Sequence, residues 1–482
     1  MVVVSTVAMS LGSQSFSVIA SRGSIAYWPR VDVIVNVSKI IGVNNLSLGF
    51  QLDWHRWKTF IDRPVQWQLA RNASFKIVRV FDFRPTNPRL MPCLYWNEST
   101  KTGVWNWTWV DLLTQKIFEI GAEPLFCLGW ARDNIENYIP PGMAVNPKTK
   151  LPYPESYAMY AAEWVKHFRE KGFPVRFYEI MNEPFAYFGW NAENMTRLKY
   201  FVEFWNFVAS AMRQENPNIL ISQDTITMKR VFDYWIQYGE DIDFLDFHKY
   251  DANSIGQYSD EQMFTRAETR RFETDATFYG VDEARQRWFN RRGKWLLVIN
   301  SESNFSSAWE TGTDPKIQQM SGAVWLALVL RTAILKGVNY NIYFEFSSSK
   351  SWQEAHGSGW GFGMINEDDD QPWYPYYVHK MIGGSISCGD VIVETNSSSN
   401  DVRILAWIHN RTLNILLICK SSETRIVVLK GLTGLAENFK ILKIDNTVSY
   451  KKPHIQEETF SYDKPYILNG YTVALLQCFI NA

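Results

Sequence analysis

The chain has 482 residues, 46% hydrophobic and 21% charged, a globular balance with enough apolar material for one large α/β barrel and a smaller appendage. A formal net charge of -1 gives no electrostatic argument for nucleic acid or an anionic membrane as partner. The aromatic share is 15%, with 21 Trp and 23 Tyr; most of these rings belong in a core, and the surplus suits flat, amphipathic walls on which sugar rings stack.

Residues 1–46 carry no helical pattern. Met1–Ala20 is apolar and rich in small residues but lacks a basic start; it outlines an export signal and is too interrupted to span a membrane. Val31–Val37 alternates like an edge strand, and the segment is expected to add a strand to the β-sandwich of residues 385–482. From residue 47 the rhythm becomes strand then helix, repeated. The predicted strands are Leu48–Leu52, Phe75–Phe81, Pro124–Leu128, Arg176–Pro184, Ile219–Ser222, Ile242–Phe247, Trp295–Asn300 and Tyr340–Phe346. Helices are predicted before Asn72 and over Trp109–Ile120, Tyr157–Lys171, Asn194–Glu215, Val231–Tyr238, Lys316–Lys336 and Tyr374–Ile382. Eight such units close a (β/α)8 TIM barrel, here residues 47–384. Trp54, Trp130, Trp190, Trp352 and Trp360 fall in loops on its predicted upper face. The run Arg266–Arg292 mixes Arg with Glu and reads as a solvated helix, and Glu367–Asp370 as a solvated acidic turn rather than a calcium loop.

Residues 385–482 have short strands at Asp390–Glu394, Val402–His409, Leu413–Cys419, Thr424–Leu429, Phe439–Ile444 and Tyr471–Cys478, separated by polar turns, the pattern of an antiparallel β-sandwich. Cys93, Cys127, Cys388, Cys419 and Cys478 are scattered with no zinc-like spacing; buried thiols are expected, with one bridge in the C-terminal region left open. Nine N-x-S/T sequences begin at Asn36, Asn45, Asn72, Asn97, Asn106, Asn194, Asn304, Asn396 and Asn410, a density that favours a secreted glycoprotein. Oligomeric state is left open.

Two carboxylates stand at predicted strand ends on the barrel face where chemistry is done: Glu183 after the fourth strand and Glu302 after the seventh. Retaining glycoside hydrolysis needs such a pair about 5–5.5 Å apart, one acid/base and one nucleophile. The acid needs burial or a nearby negative charge to keep its proton, and the nucleophile needs donors. Arg79 on the second strand and Tyr250 after the sixth are suited to donate to one carboxylate; Asn182 is suited to reach a sugar hydroxyl, and His248 to orient a carboxylate or the substrate.

Asn-Glu-Pro at the fourth strand, a Glu at the seventh, Arg79, and His248-x-Tyr250 together resemble glycoside hydrolase clan A, the (β/α)8 retaining glycosidases, over residues 47–384. GFGMINEDDDQPWYPYYVHKMIG is similar to the close of family 39, and family 5 shares the N-E-P and H-x-Y elements. The resemblance implies Glu183 as acid/base, Glu302 as nucleophile, and Arg79 and Tyr250 as the nucleophile's hydrogen-bonding partners. The clan often has Trp at the end of strand eight; this chain has Phe344-Glu345-Phe346, with Trp352 or Trp360 placed to substitute. Trp130 is a further sugar platform by position. The expected activity is hydrolysis of β-linked oligo- or polysaccharides by double displacement, without metal or organic cofactor. The alternatives are an endo-acting β-glucanase of the same clan and a carbohydrate-binding barrel without turnover.

Overall fold

The computed structural model describes residues 15–19, 25–52, 61–81, 91–309, 312–355, 357, 359–435, 437–449 and 452–480. Most of the outlined export signal (1–14 and 20) and the Trp54 cluster lie outside the described residues. Among the described residues no helix is long and apolar enough to cross a membrane.

Eight parallel strands form the barrel: β1 (Ser47–Leu52), β2 (Ile77–Val80), β3 (Glu123–Cys127), β4 (Phe177–Glu179), β5 (Leu220–Ser222), β6 (Phe244–Ala252), β7 (Leu297–Ser306) and β8 (Tyr340–Tyr343). They are hydrogen-bonded in the order β6-β7-β8-β1-β2-β3-β4-β5. The circle closes where Asp243 N donates to Ile221 O at 2.9 Å and the Ser222 hydroxyl donates to Phe244 O. Inside, Ile77, Leu125, Phe177, Phe244, Ile299 and Ile342 make one packed layer, as every second residue of a barrel strand must. Gly49 belongs to the same level: a Cβ there would lie 2.4 Å from Ile77 Cγ2 and 2.6 Å from Ile77 O, so β1 approaches β2 only because it has none.

The helices lie where periodicity puts them, for instance Pro154–Lys171 and Met195–Glu215, each burying one apolar stripe against the strands. The region read as one solvated basic helix is two helices, Asp260–Thr269 and Val281–Arg292, joined by a turn that folds inward. The loop after β2 contains an antiparallel pair, Cys93–Asn97 and Thr102–Trp105.

The C-terminal strands Val391–Ser397, Val402–His409, Thr412–Cys419, Asn438–Ile444, Gln456–Ser461 and Val473–Phe479 make a mostly antiparallel sheet. Alternate residues such as Ile404, Ile415, Phe439 and Leu476 face a core of their own. The opposite face, with Leu405, Trp407, Leu416 and Leu475, packs into the barrel's helical layer as part of one continuous apolar cluster. The expected edge strand is instead internal: Ile25–Val43 pairs antiparallel with Val391–Ser397 and parallel with Arg425–Lys430. Its inward residues Val31, Val33 and Val35 are fully covered, which an edge position would not require. The two layers come from one sheet that folds over, so that Phe460 and Tyr466, from strands at its two ends, meet with ring centroids 5.4 Å apart. All five cysteines are free.

Candidate active site

β4 ends at Glu179, and the chain then steps out of the ladder. Asn182 N donates to Gly129 O at 2.7 Å, which aligns Asn182 beside Trp130. The next residue, Glu183, has φ 39°, the left-handed region that non-glycine residues enter at a cost. Asp224, two residues beyond β5, holds it there by accepting the Glu183 N–H at 2.7 Å. Pro184 then starts a short helix, Phe185–Phe188.

Glu302 arrives differently. The sequence reading ends the seventh strand at Asn300, whereas β7 runs on to Ser306 and carries Glu302 within it. Between β6 and β7 the register shifts: Phe247 faces Asn300, but His248 faces Glu302. Ser301 is the extra residue of a β-bulge, and the bulge turns both Ser301 and Glu302 into the barrel. The Ser301 hydroxyl donates to Asp246, while Glu302 stands one step higher, beside His248. Likewise β6 continues through His248 and Tyr250 instead of stopping before them.

The six polar residues singled out from the sequence converge. Arg79, fully buried, donates from Nη1 to Glu302 Oε1 (2.6 Å) and Gln51 Oε1 (2.6 Å), and from Nη2 to Glu179 Oε2 (2.6 Å) and Asn182 Oδ1 (2.8 Å). The Tyr250 hydroxyl donates to Glu302 Oε2 at 2.7 Å. His248 faces three carboxylates: Nδ1 lies 3.1 Å from Glu183 and 3.4 Å from Glu302, and Nε2 lies 3.2 Å from Asp224. Oxygens of Glu183 and Glu302 lie within 4.8 Å of each other.

The charges follow from this packing. Burial pushes the Glu183 carboxyl above the ordinary carboxylate range, and Glu302 and Asp224 add to the rise against the opposing pull of His248. Burial would also lower His248, but Asp224 and Glu302 outweigh it and hold the imidazole well above its usual value, as a cation. Asp224 is held low in spite of burial by His248, by Arg79 and by the Glu183 N–H. Burial, then Glu302, keeps the Tyr250 phenol protonated.

Glu183, His248 and Glu302 offer three atoms at a spacing that a metal ion would accept. A doubly protonated imidazole has no lone pair for a metal, and Glu302 already accepts from Arg79 and Tyr250, so the donor set suits a proton-transfer site better than a metal centre.

A cavity of about 340 Å³ opens above Glu183, walled by Phe185, Trp190 and Phe278 and edged by Thr225, Asn253 and Ser307. Trp190 lines it, half exposed, edge-on to Phe185. Trp130 lies beside Asn182, under the Arg132 guanidinium at 4.3 Å. Trp352 and Trp360 are not among the residues that line this cavity. Trp352 sits half exposed on the helix Lys350–Ala355, and Trp360 stacks on Trp373 and donates to Glu354, because the loop after β8 folds outward over its own acidic turn. At the end of β8 it is Phe344 that meets Tyr250, edge-on at 6.1 Å. Glu367–Asp370 is not a freely solvated turn: Asp370 accepts from Arg63 and Gln66, and Asp368 from Ser349 and Ser351.

Gln51, Glu179 and Asp224 belong to this network without having been assigned to it from the sequence. Glu179 carried a signal: a charge two residues from Phe177, on the face that points into the barrel, needs a buried partner, and Arg79 is it.

Solved structures match the fold over nearly the whole chain. A glucosidase from Croceicoccus marinus is 14% identical with a TM-score of 0.62, covering 94% of this chain and 99% of that one. A GH39 β-xylosidase from Caulobacter crescentus is 14% identical with a TM-score of 0.63, covering 93% and 99%. An α-L-arabinofuranosidase from Thermotoga maritima, solved with arabinose, is 13% identical with a TM-score of 0.63, covering 93% and 100%. No protein-family model and no curated protein sequence matches the chain. At these identities the likeness establishes the fold, barrel and sheet together, in agreement with the layout expected from clan A.

Proposed function

We propose that the protein is a retaining glycosidase that hydrolyses β-linked glycosides by double displacement. The observation that carries this reading is the approach of the Glu183 and Glu302 oxygens to within 4.8 Å, a separation that suits direct attack on the sugar and leaves no room for the water an inverting enzyme places between its carboxylates. Glu183, raised by burial, is the proton donor to the departing oxygen. Glu302, accepting from Arg79 and Tyr250, attacks the anomeric carbon; Glu183 then takes a proton from the water that releases the sugar. The solved glucosidase, β-xylosidase and arabinofuranosidase that share the fold support a glycoside substrate.

Incubation with 2-fluoro glycosyl donors followed by peptide mapping is the direct test. Label on Glu302 supports the assignment, and label on another carboxylate overturns it. A carbohydrate-binding barrel without turnover would bind glycans and take no label.

A further inference from the structure

The turn between the helices Asp260–Thr269 and Val281–Arg292 places Arg270 and Arg271 in the wall of the same cavity as Glu183. Three arginines are buried among the described residues, and two have carboxylate partners: Arg79 with Glu179 and Glu302, and Arg425 with Asp401 and Glu423. Arg271, 7% exposed, makes no ion pair within the described structure. Its Nε donates to His248 O at 3.2 Å, its guanidinium lies over the Phe278 ring at 3.2 Å, and its two terminal nitrogens make no hydrogen bond there. Arg270 donates to Tyr250 O and likewise has no carboxylate partner.

The nearby acids are committed elsewhere. Asp251 accepts from Lys249 Nζ and from Trp325 Nε1 at 2.6 Å, and Asp275 accepts from the N–H groups of Thr277 and Phe278. The turn is rigid: buried Lys249 donates to the carbonyls of Arg266 (3.0 Å) and Arg270 (2.9 Å), and Arg271 is held at φ 69°. A buried cation is normally stabilised by a paired anion, and here the fold sets buried Arg271 beside half-buried Arg270 and gives neither an ion pair within the described residues. Burial and the charge of Arg270 lower Arg271 to about 9, and the more distant charges of Asp275 and Asp251 offset them only in part.

We propose that Arg270 and Arg271 form an anion-binding subsite, and that the glycoside acted on carries a carboxylate or sulfate group on the sugar next to the bond cleaved. The cavity borders Glu183 together with His248 and Tyr250, both of which touch Glu302, which puts the anionic group on a sugar at the bond cleaved. Two forked guanidinium groups match the oxygens of either anion, while Trp190, Phe185 and Phe278 offer apolar surface to the ring and Asn253, Ser307 and Thr225 offer hydrogen bonds to its hydroxyls. The reaction at the bond rests on the glycosidase reading above; the recognition of the anion does not.

The test is equilibrium binding to the full chain by calorimetry, with methyl β-D-glucuronide, glucose 6-sulfate and methyl β-D-glucoside as probes. We expect one of the charged sugars to bind at least about tenfold more tightly than the neutral one, with the advantage falling as salt is raised. Which charged probe wins separates carboxylate from sulfate. The advantage should shrink in Arg270→Gln and vanish in Arg271→Gln, with neutral-sugar binding retained. Arg271→Gln should also melt at or above the wild-type temperature, since it removes a buried charge that makes no ion pair; an arginine serving only the fold would leave its variant less stable. Equal binding of charged and neutral probes, no binding of any, or a preference that survives both substitutions overturns the proposal. Because binding needs no turnover, a failed 2-fluoro label with an intact anion preference would sink the reaction and leave the subsite.

Discussion

Arg79 is the residue on which the site depends, because it satisfies two carboxylates, a glutamine and an asparagine from one buried position. Arg79→Met would leave Glu179 buried without its counter-charge, and breaking a buried pair in this way costs about 3–5 kcal/mol. Chemical denaturation should show that loss; a change below about 1 kcal/mol would mean the network is not stabilised as drawn. For Glu183 the sign of the pH effect is fixed by the direction of its shift. The acid must be protonated to act and its value is raised by burial, so the alkaline limb of kcat/KM should fall as pH rises through the raised value. In Glu183→Gln that alkaline limb should disappear, with a loss of about 10²–10⁴-fold on poor leaving groups and far less on good ones. Equal losses across leaving groups would remove Glu183 from the acid role. His248 acts on stability: its folded value lies above 6.5, so its contribution is complete below 6.5 and is lost as pH rises through the folded value. A melting-temperature profile of His248→Gln should lack that alkaline decline.

At the scale of elements, the bulge at Ser301 adds one residue to β7 directly below the second carboxylate. Deleting Ser301 would restore a regular ladder with Glu302 still opposite His248, and would take from buried Asp246 the Ser301 hydroxyl that donates to it. The barrel is expected to fold with unchanged far-ultraviolet circular dichroism and a lower melting temperature; an unchanged melting temperature would show that the Ser301 hydroxyl does not support Asp246. This element also marks how far the sequence could be read. Strand β4 was legible because Phe177 and Glu179 alternate with covered neighbours and Pro184 ends the run. The continuation of β7 was not, because INSESN is polar on both faces and a strand whose polar residues are all satisfied internally has no apolar period to betray it. The same holds for β6, where Lys249 and Asp251 neutralise each other inside the fold, and for Arg270 and Arg271, which local sequence presents as one more charged helix. Strand–helix rhythm and the two acids were thus visible from local pattern; bulges, long-range ion pairs and the direction of a turn are set by partners distant in sequence.

At the scale of the molecule, barrel and sheet share one apolar cluster, with Trp407 at the junction donating from Nε1 to Ser385 O at 2.7 Å. Trp407→Ala should cost about 3–5 kcal/mol, and because the cluster is continuous, barrel and sheet signals should still melt together. Two separated transitions would show that the halves are independent.

The placement of Ile25–Val43 between strands made from residues near 395 and 427 has a consequence for synthesis. Asp32 N bonds the Ser398 hydroxyl across 366 residues, so this strand leaves the ribosome long before either neighbour exists. At about 5–20 residues per second, it waits some 20–70 s with the edges that Val391–Ser397 and Arg425–Lys430 will cover still unsatisfied while the whole barrel is translated. The sheet can therefore be completed only late in the emergence of the chain, and during that interval an exposed run of alternating valines and isoleucines is the segment on which a nascent-chain chaperone would act.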